Sequence, residues 1–163
     1  MAHWQLAAAL LLLAPRAQDD EYRPFIHEAS EEGEQTMAGF ELAEGFTVNQ
    51  FAAEPMVANP VCFYIDHGGD LLVGESFRVN QGVTDIRGHV EWLDDDLAAR
   101  SVADRVAYMR KWEGERFAEY GVHHDRIRLL RDTDGDGFAD HASVWADGFN
   151  EPEDGLGAGI LSY

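Results

Sequence analysis

Between Asp132 and Asp140 the chain reads Asp-Thr-Asp-Gly-Asp-Gly-Phe-Ala-Asp. Carboxylates stand at the alternate positions Asp132, Asp134 and Asp136, Gly137 follows, and a fourth carboxylate, Asp140, closes the run. This is the ligand order of a calcium loop: hard oxygen donors at the first, third and fifth positions, a turn-making glycine at the sixth, and a further carboxylate at the ninth. Phe138 would lend its backbone carbonyl at the seventh position. The twelfth position, where an EF-hand carries a bidentate Glu, holds Ser143. The flanks, Ile127 to Leu130 and Ala142 to Trp145, read as short strands rather than helices. The expectation is a calcium-type loop at the tip of a β-hairpin, with Asp132, Asp134, Asp136, Phe138 and Asp140 as ligands. The competing reading is turn chemistry alone, because Asp and Gly both tolerate left-handed backbone.

The elements that must position this loop belong to a chain of 163 residues, one domain's worth. It carries 31 acidic against 12 basic residues, a formal charge of −19. Nucleic-acid phosphates would be repelled by such a chain, so that class of partner is excluded. The acidity suits an exported protein that meets divalent cations. Leu6 to Ala14 is an apolar run too short to span a bilayer and fits the core of a signal peptide, with cleavage after Ala17. Residues 1–17 are therefore expected as a signal peptide and 18–44 as an acidic, disordered linker. Export would place the protein in the periplasm or at the cell surface. The single cysteine, Cys62, reads as a small buried hydrophobe, and no Cys-x-x-Cys-His motif for c-type haem occurs.

Residues 45–163 form the ordered part. Phe46 and Val48 alternate as in a half-buried strand. Val61 to Ile65 and Leu71 to Val73, joined by a Gly-Gly turn with His67 at its tip, read as a hairpin. Over about 94–120 the pattern turns helical: Asp94, Asp95 and Asp96 suit a helix start, and Leu97, Val102, Val106, Met109 and Trp112 recur near every third or fourth position. This insertion is expected to cover one sheet face. Ile160 to Tyr163 reads as the start of a new strand, so a longer protein is expected.

Several ordered blocks resemble a known family: Phe51-Ala52-Ala53-Glu54-Pro55, Val73-Gly74-Glu75-Ser76-Phe77-Arg78, Glu91 to Leu97, Val102 to Val106, and Arg126 through Asp140. Phe149-Asn150, Asp154-Gly155 and Gly157-Ala158-Gly159 belong to the same likeness. Together they are similar to the amino-terminal region of the PVC-type haem-binding proteins, a group also labelled membrane-bound dehydrogenases. The resemblance implies a mainly β fold. It would be a partial β-propeller of the quinoprotein-dehydrogenase kind, its first blade or two, with a helical insertion. It also implies downstream domains of the same protein, among them a c-type haem domain, and a quinone cofactor, neither carried by this chain.

Within such a propeller, Glu75 and Arg78 just past Leu71 to Val73 would face the central channel and hold a carbohydrate hydroxyl or an acidic cofactor. The alternative is that they pair with each other, or with Asp85 or Arg87. Trp92, Trp112 and Trp145 suit sugar stacking or, more commonly, core packing. No catalytic residue is assigned; His89, His123 and His124 qualify by residue type alone. Two functions follow as expectations. One is part of a sugar- or alcohol-oxidising dehydrogenase; the other is a calcium-stabilised extracellular propeller that binds polysaccharide or protein without catalysis.

Overall fold

The computed structural model describes residues 22–161; the expected signal peptide lies outside them. Four strands form one antiparallel sheet in the order β1-β2-β3-β4: β1 (Pro60–Ile65), β2 (Leu71–Glu75), β3 (Asp125–Arg131) and β4 (His141–Phe149). Each strand pairs with its sequence neighbour, so the sheet is an up-and-down meander. Both hairpins anticipated from the residues are present. In the first turn the Asp66 carboxylate accepts from the backbone N–H groups of Gly68 and Asp70, a local side-chain bond that fixes the reversal.

Between β2 and β3 the chain leaves the sheet through α2 (Leu93–Ala98), α3 (Val102–Glu113) and a 3-10 stretch (Gly114–Gly121). With α1 (Glu32–Met37) upstream, helices balance strands, so the fold is a mixed α/β arrangement rather than the mainly β one expected. The stretch expected as a disordered linker carries α1, none of whose residues is buried. The strand expected at Phe46 and Val48 does not form, and both side chains are exposed. Two alternating apolar residues give too little buried face to hold a strand without a pairing partner. No helix of the described residues is long and apolar enough to cross a membrane.

The central strands are covered on both faces. Leu72 and Val73 point to opposite sides of β2, yet both are buried, as are Leu129 and Leu130 on β3. One face lies under the segment before β1, where Arg128 Nε donates to the Met56 carbonyl at 2.8 Å and Ala58 is buried. The other lies under the chain after β4, which brings Ile160 next to Gly74. The outer strand β1 keeps an exposed row, Val61, Phe63 and Ile65.

The insertion has its own apolar cluster of Trp92, Tyr108, Met109, Phe117 and Tyr120, with Ala99 and Val106 packed against it. The helical face expected from spacing is corrected here: Met109 and Val106 point inward, whereas Leu97, Val102 and Trp112 are exposed. The chain breaks at residues 99–101, so Leu97 and Val102 lie on different helix axes. Ser101 caps α3 by accepting from the Asp104 N–H at 3.1 Å. The aspartates that open α2 tie the helices together: Asp95 accepts from Lys111 and the Trp112 indole, and Asp96 accepts from the Tyr108 hydroxyl at 2.6 Å. That bond and burial push the Tyr108 phenol up to about 12, burial being the larger cause.

Met109 is 2% exposed at the centre of this cluster. Truncating it, Met109→Ala, should cost about 2–5 kcal/mol by lost burial and a residual cavity. Urea unfolding followed by tryptophan fluorescence would measure this, and a loss well under 1 kcal/mol would show that Met109 is not at a packed centre.

Candidate functional site

The aspartate loop connects β3 to β4, the tip of the second hairpin, as the residues imply. Gly135 and Gly137 take φ of +80° and +90°, left-handed values that a side chain would resist. These turns aim successive backbone N–H groups inward. Asp132 Oδ1 accepts from Gly135 and Asp136, and its Oδ2 accepts from Gly137 at 2.8 Å. Those N–H groups, Gly137's foremost, hold the Asp132 carboxyl below its ordinary value of 3.8.

One oxygen from each of Asp132, Asp134 and Asp136 lies within 4.8 Å of the others, close enough that the three could hold one cation. The donors suit one. A carboxylate offers about four lone-pair sites, of which Asp132 spends three on the loop backbone. Asp134 and Asp136 each spend one, on the N–H of Asp136 and Phe138 respectively. Hard oxygen donors of this kind fit calcium or magnesium better than a soft metal.

Asp140 stands apart from the three converging carboxylates. Both Asp140 oxygens face Thr133, accepting from its N–H at 3.1 Å and from its hydroxyl, so Asp140 clasps the neck of the loop. The Phe138 side chain is exposed, and its N–H binds Asp136. Two contacts from far upstream hold the loop. Asn49 donates to the Gly137 carbonyl at 2.5 Å, and the Phe51 carbonyl accepts from Ala139 N–H at 2.7 Å. Asn49 belongs to the stretch read as a strand, and nothing local in the sequence marks it as a partner of a loop near residue 137.

Glu75 and Arg78 are buried among the described residues. Their relative exposures are 1% and 0%, and neighbours within the fold claim both. Glu75 accepts from the Ala58 N–H at 2.6 Å through Oε1 and from Arg126 Nε through Oε2. The Arg126 guanidinium also lies over the Phe77 ring, 5.1 Å from its centroid. Arg78 donates to the carbonyls of Gly82 and Glu151 at 2.8 and 2.9 Å, and more loosely to those of Asp154 and Gly155.

Asp125, which the sequence reading passed over, completes this buried knot. Its Oδ1 accepts from the Ser76 hydroxyl and from the N–H groups of Phe77 and Arg78; its Oδ2 accepts from Gly157 N–H at 3.1 Å. The pairing alternatives weighed for Glu75 and Arg78 also resolve differently: Asp85 and Arg87 bind each other. Glu75 and Arg78 thus act as structural clamps, since their other polar atoms are paired even though Arg78 Nε and Arg126 Nη2 are buried without a hydrogen-bond partner among the described residues.

The remaining histidine candidates each have a neighbour among the described residues. His124 Nδ1 lies 3.3 Å from Asp147, and its ring stacks on Tyr22. His123 Nδ1 meets the Tyr22 hydroxyl at 3.2 Å. His89 stacks on Trp92, the buried member of the tryptophan trio; Trp112 and Trp145 are exposed. Cys62 is a free thiol, half-buried on β1, and a lone thiol without a Cys-x-x-Cys-His motif does not fit covalent attachment of a c-type haem.

Residues 32–156 match the family described as Domain of unknown function (DUF7133), and the chain belongs to that family. The match begins at α1, inside the stretch read as linker. No curated protein and no solved structure matches the chain.

Two outcomes follow from this geometry. Glu75→Ala leaves Arg126 buried without its counter-ion and should destabilise the fold by about 3–5 kcal/mol, read by urea denaturation; a variant as stable as the parent would contradict the clamp. Asp132 should titrate below 3.8 in a carbon-detected NMR titration. Since its folded value is depressed, its contribution is present above the unfolded range and lost as pH falls through the folded value.

Proposed function

We propose that this chain is a calcium-stabilised blade module of a larger exported, dehydrogenase-like propeller, serving as scaffold rather than carrying the chemistry. The observation that carries this reading is the convergence of Asp132, Asp134 and Asp136 within 4.8 Å at a hairpin tip. A four-stranded up-and-down sheet is the unit from which propellers are built. The exposed row of Val61, Phe63 and Ile65 on an edge strand suits burial against a further blade. The blocks shared with the PVC-type haem-binding proteins support a whole protein that oxidises a sugar or alcohol, with quinone and c-type haem held by other parts.

A second reading has its own support. Glu75 and Arg78 are locked into the fold. A non-catalytic extracellular propeller that binds polysaccharide or protein accounts for this equally. Redox-dye reduction by the longer protein in the presence of sugars and alcohols separates the two. Turnover favours the dehydrogenase; retention on polysaccharide without turnover favours the binder.

Calcium itself is tested on this chain. At 100 times its dissociation constant a bound ion should stabilise the fold by about 2.7 kcal/mol, raising Tm by several degrees. Asp132→Ala combined with Asp136→Ala should abolish that rise in a thermal melt. An equal rise in the double variant would remove the ion from this loop.

A further inference from the structure

From the geometry of the insertion we infer that the cleft between the loop 79–90 and the corner of α3 binds a small organic ammonium ion, its positive head on the Glu113 carboxylate. The cleft has a volume of about 530 Å³ and is lined by Asn80, Gln81, Asp85, Glu113, Arg116 and Tyr120, among others. Small-molecule sites typically occupy about 300–1,000 Å³.

A directed relay forms its floor. The Thr84 hydroxyl donates to the Tyr120 hydroxyl, which donates to Glu113 Oε1 at 2.8 Å. Burial pushes the Tyr120 phenol up, so it keeps its proton and keeps orienting the carboxylate. The second oxygen, Oε2, makes no hydrogen bond. Its ion-pair partner, Arg116, stands 3.7 Å off on a side chain 71% exposed, while the Glu113 side chain is only 4% exposed. Nor is Oε2 sealed inside the protein: among the described residues, buried side-chain atoms without a partner are confined to Arg78 and Arg126. A nearly buried carboxylate is thus held in one orientation with an acceptor oxygen open to the cleft.

Charge decides what that oxygen takes. Asp85, Glu113 and Glu119 line the cleft with the guanidinium of Arg116, and His89 and His123 line it too. Asp85 is held down to about 2, mainly by its hydrogen bonds from Arg87, whose guanidinium offsets its charge; Glu113 and Glu119 against the one Arg116 still leave the cleft net negative. Anions are repelled, and a chain of net charge −19 concentrates cations at its surface. A bare metal ion is disfavoured, because the one group of three converging ligands among the described residues is the aspartate loop. An ammonium needs a single oriented carboxylate and supplies three donors. The side chains of Asn80 and Gln81, which make no hydrogen bonds among the described residues, offer further acceptors at the rim.

The inference rests on residues other than the aspartate loop, so either can fail alone. The test is an amide-resolved NMR titration of the full chain at physiological salt with 1,4-diaminobutane, 1,4-butanediol and succinate, which share a four-carbon skeleton and differ in charge. The diamine should shift residues 80–89 and 113–123 saturably, at least tenfold more tightly than the diol, with no response to succinate. Glu113→Gln keeps the acceptor for Tyr120 and should weaken the diamine at least tenfold. Should that variant fold poorly, Asn80→Ala at the exposed rim should weaken it about threefold. Asp132→Ala with Asp136→Ala should leave it unchanged. Equal affinity for the diol, or shifts as large at the aspartate loop that survive Glu113→Gln, would mean general counter-ion attraction and overturn the site.

Discussion

Everything in the sheet hangs on the Asp125 carboxylate. It stands at the first residue of β3 and gathers the hydroxyl of Ser76 and the N–H groups of Phe77, Arg78 and Gly157. Those donors come from the exit of β2 and from the chain beyond β4. One side chain therefore fixes where the helical excursion departs and where the last segment crosses the sheet. Beside it, Glu75 neutralises Arg126 across the β2–β3 pair, and Arg78 gathers carbonyls from the turn after β4. Such a buried arrangement holds only while each member keeps its partners, since an isolated buried charge is far costlier than a paired one. The knot thus joins β2, β3 and the chain after β4 in one register, and losing any one partner would leave a buried charge exposed to that cost.

That constraint explains which parts of the fold were legible in the residues. The two hairpins announce themselves through local signals, apolar runs closed by Gly-Gly or Asp-Gly turns. The helical stretch announces itself through spacing and its aspartate-rich start. The knot announces nothing. Glu75 and Arg78 look like free polar groups at a strand end because their partners, Arg126, Glu151 and Asp154, lie far along the chain, and several of the contacts are to backbone atoms that every residue carries. The helical face was misread for a related reason. A periodic count runs straight through residues 99–101, whereas the backbone changes direction there.

In the aspartate loop the three alternating acids behave as their spacing implies, because alternation places ligands on one side of a tight turn. Asp140 does not join them, since a nearer partner, Thr133, takes both of its oxygens. The strut from Asn49 and Phe51 is invisible from sequence, yet it ties the loop to the segment covering the opposite end of the sheet. Any ion held at 132–136 would then stiffen that segment as well as the turn.

The excursion between β2 and β3 also bears on how the molecule assembles. Each hairpin closes over a few residues, but joining β2 to β3 must bring together ends separated by residues 76–124. Chain-closure entropy grows only logarithmically, about 0.6 kcal/mol for each doubling, so the length itself is tolerable. Because the excursion collapses around its own aromatic cluster, it shortens the effective tether. The β2–β3 pairing is the most non-local of the three strand pairings, and a compact excursion lowers the entropy that this pairing must overcome.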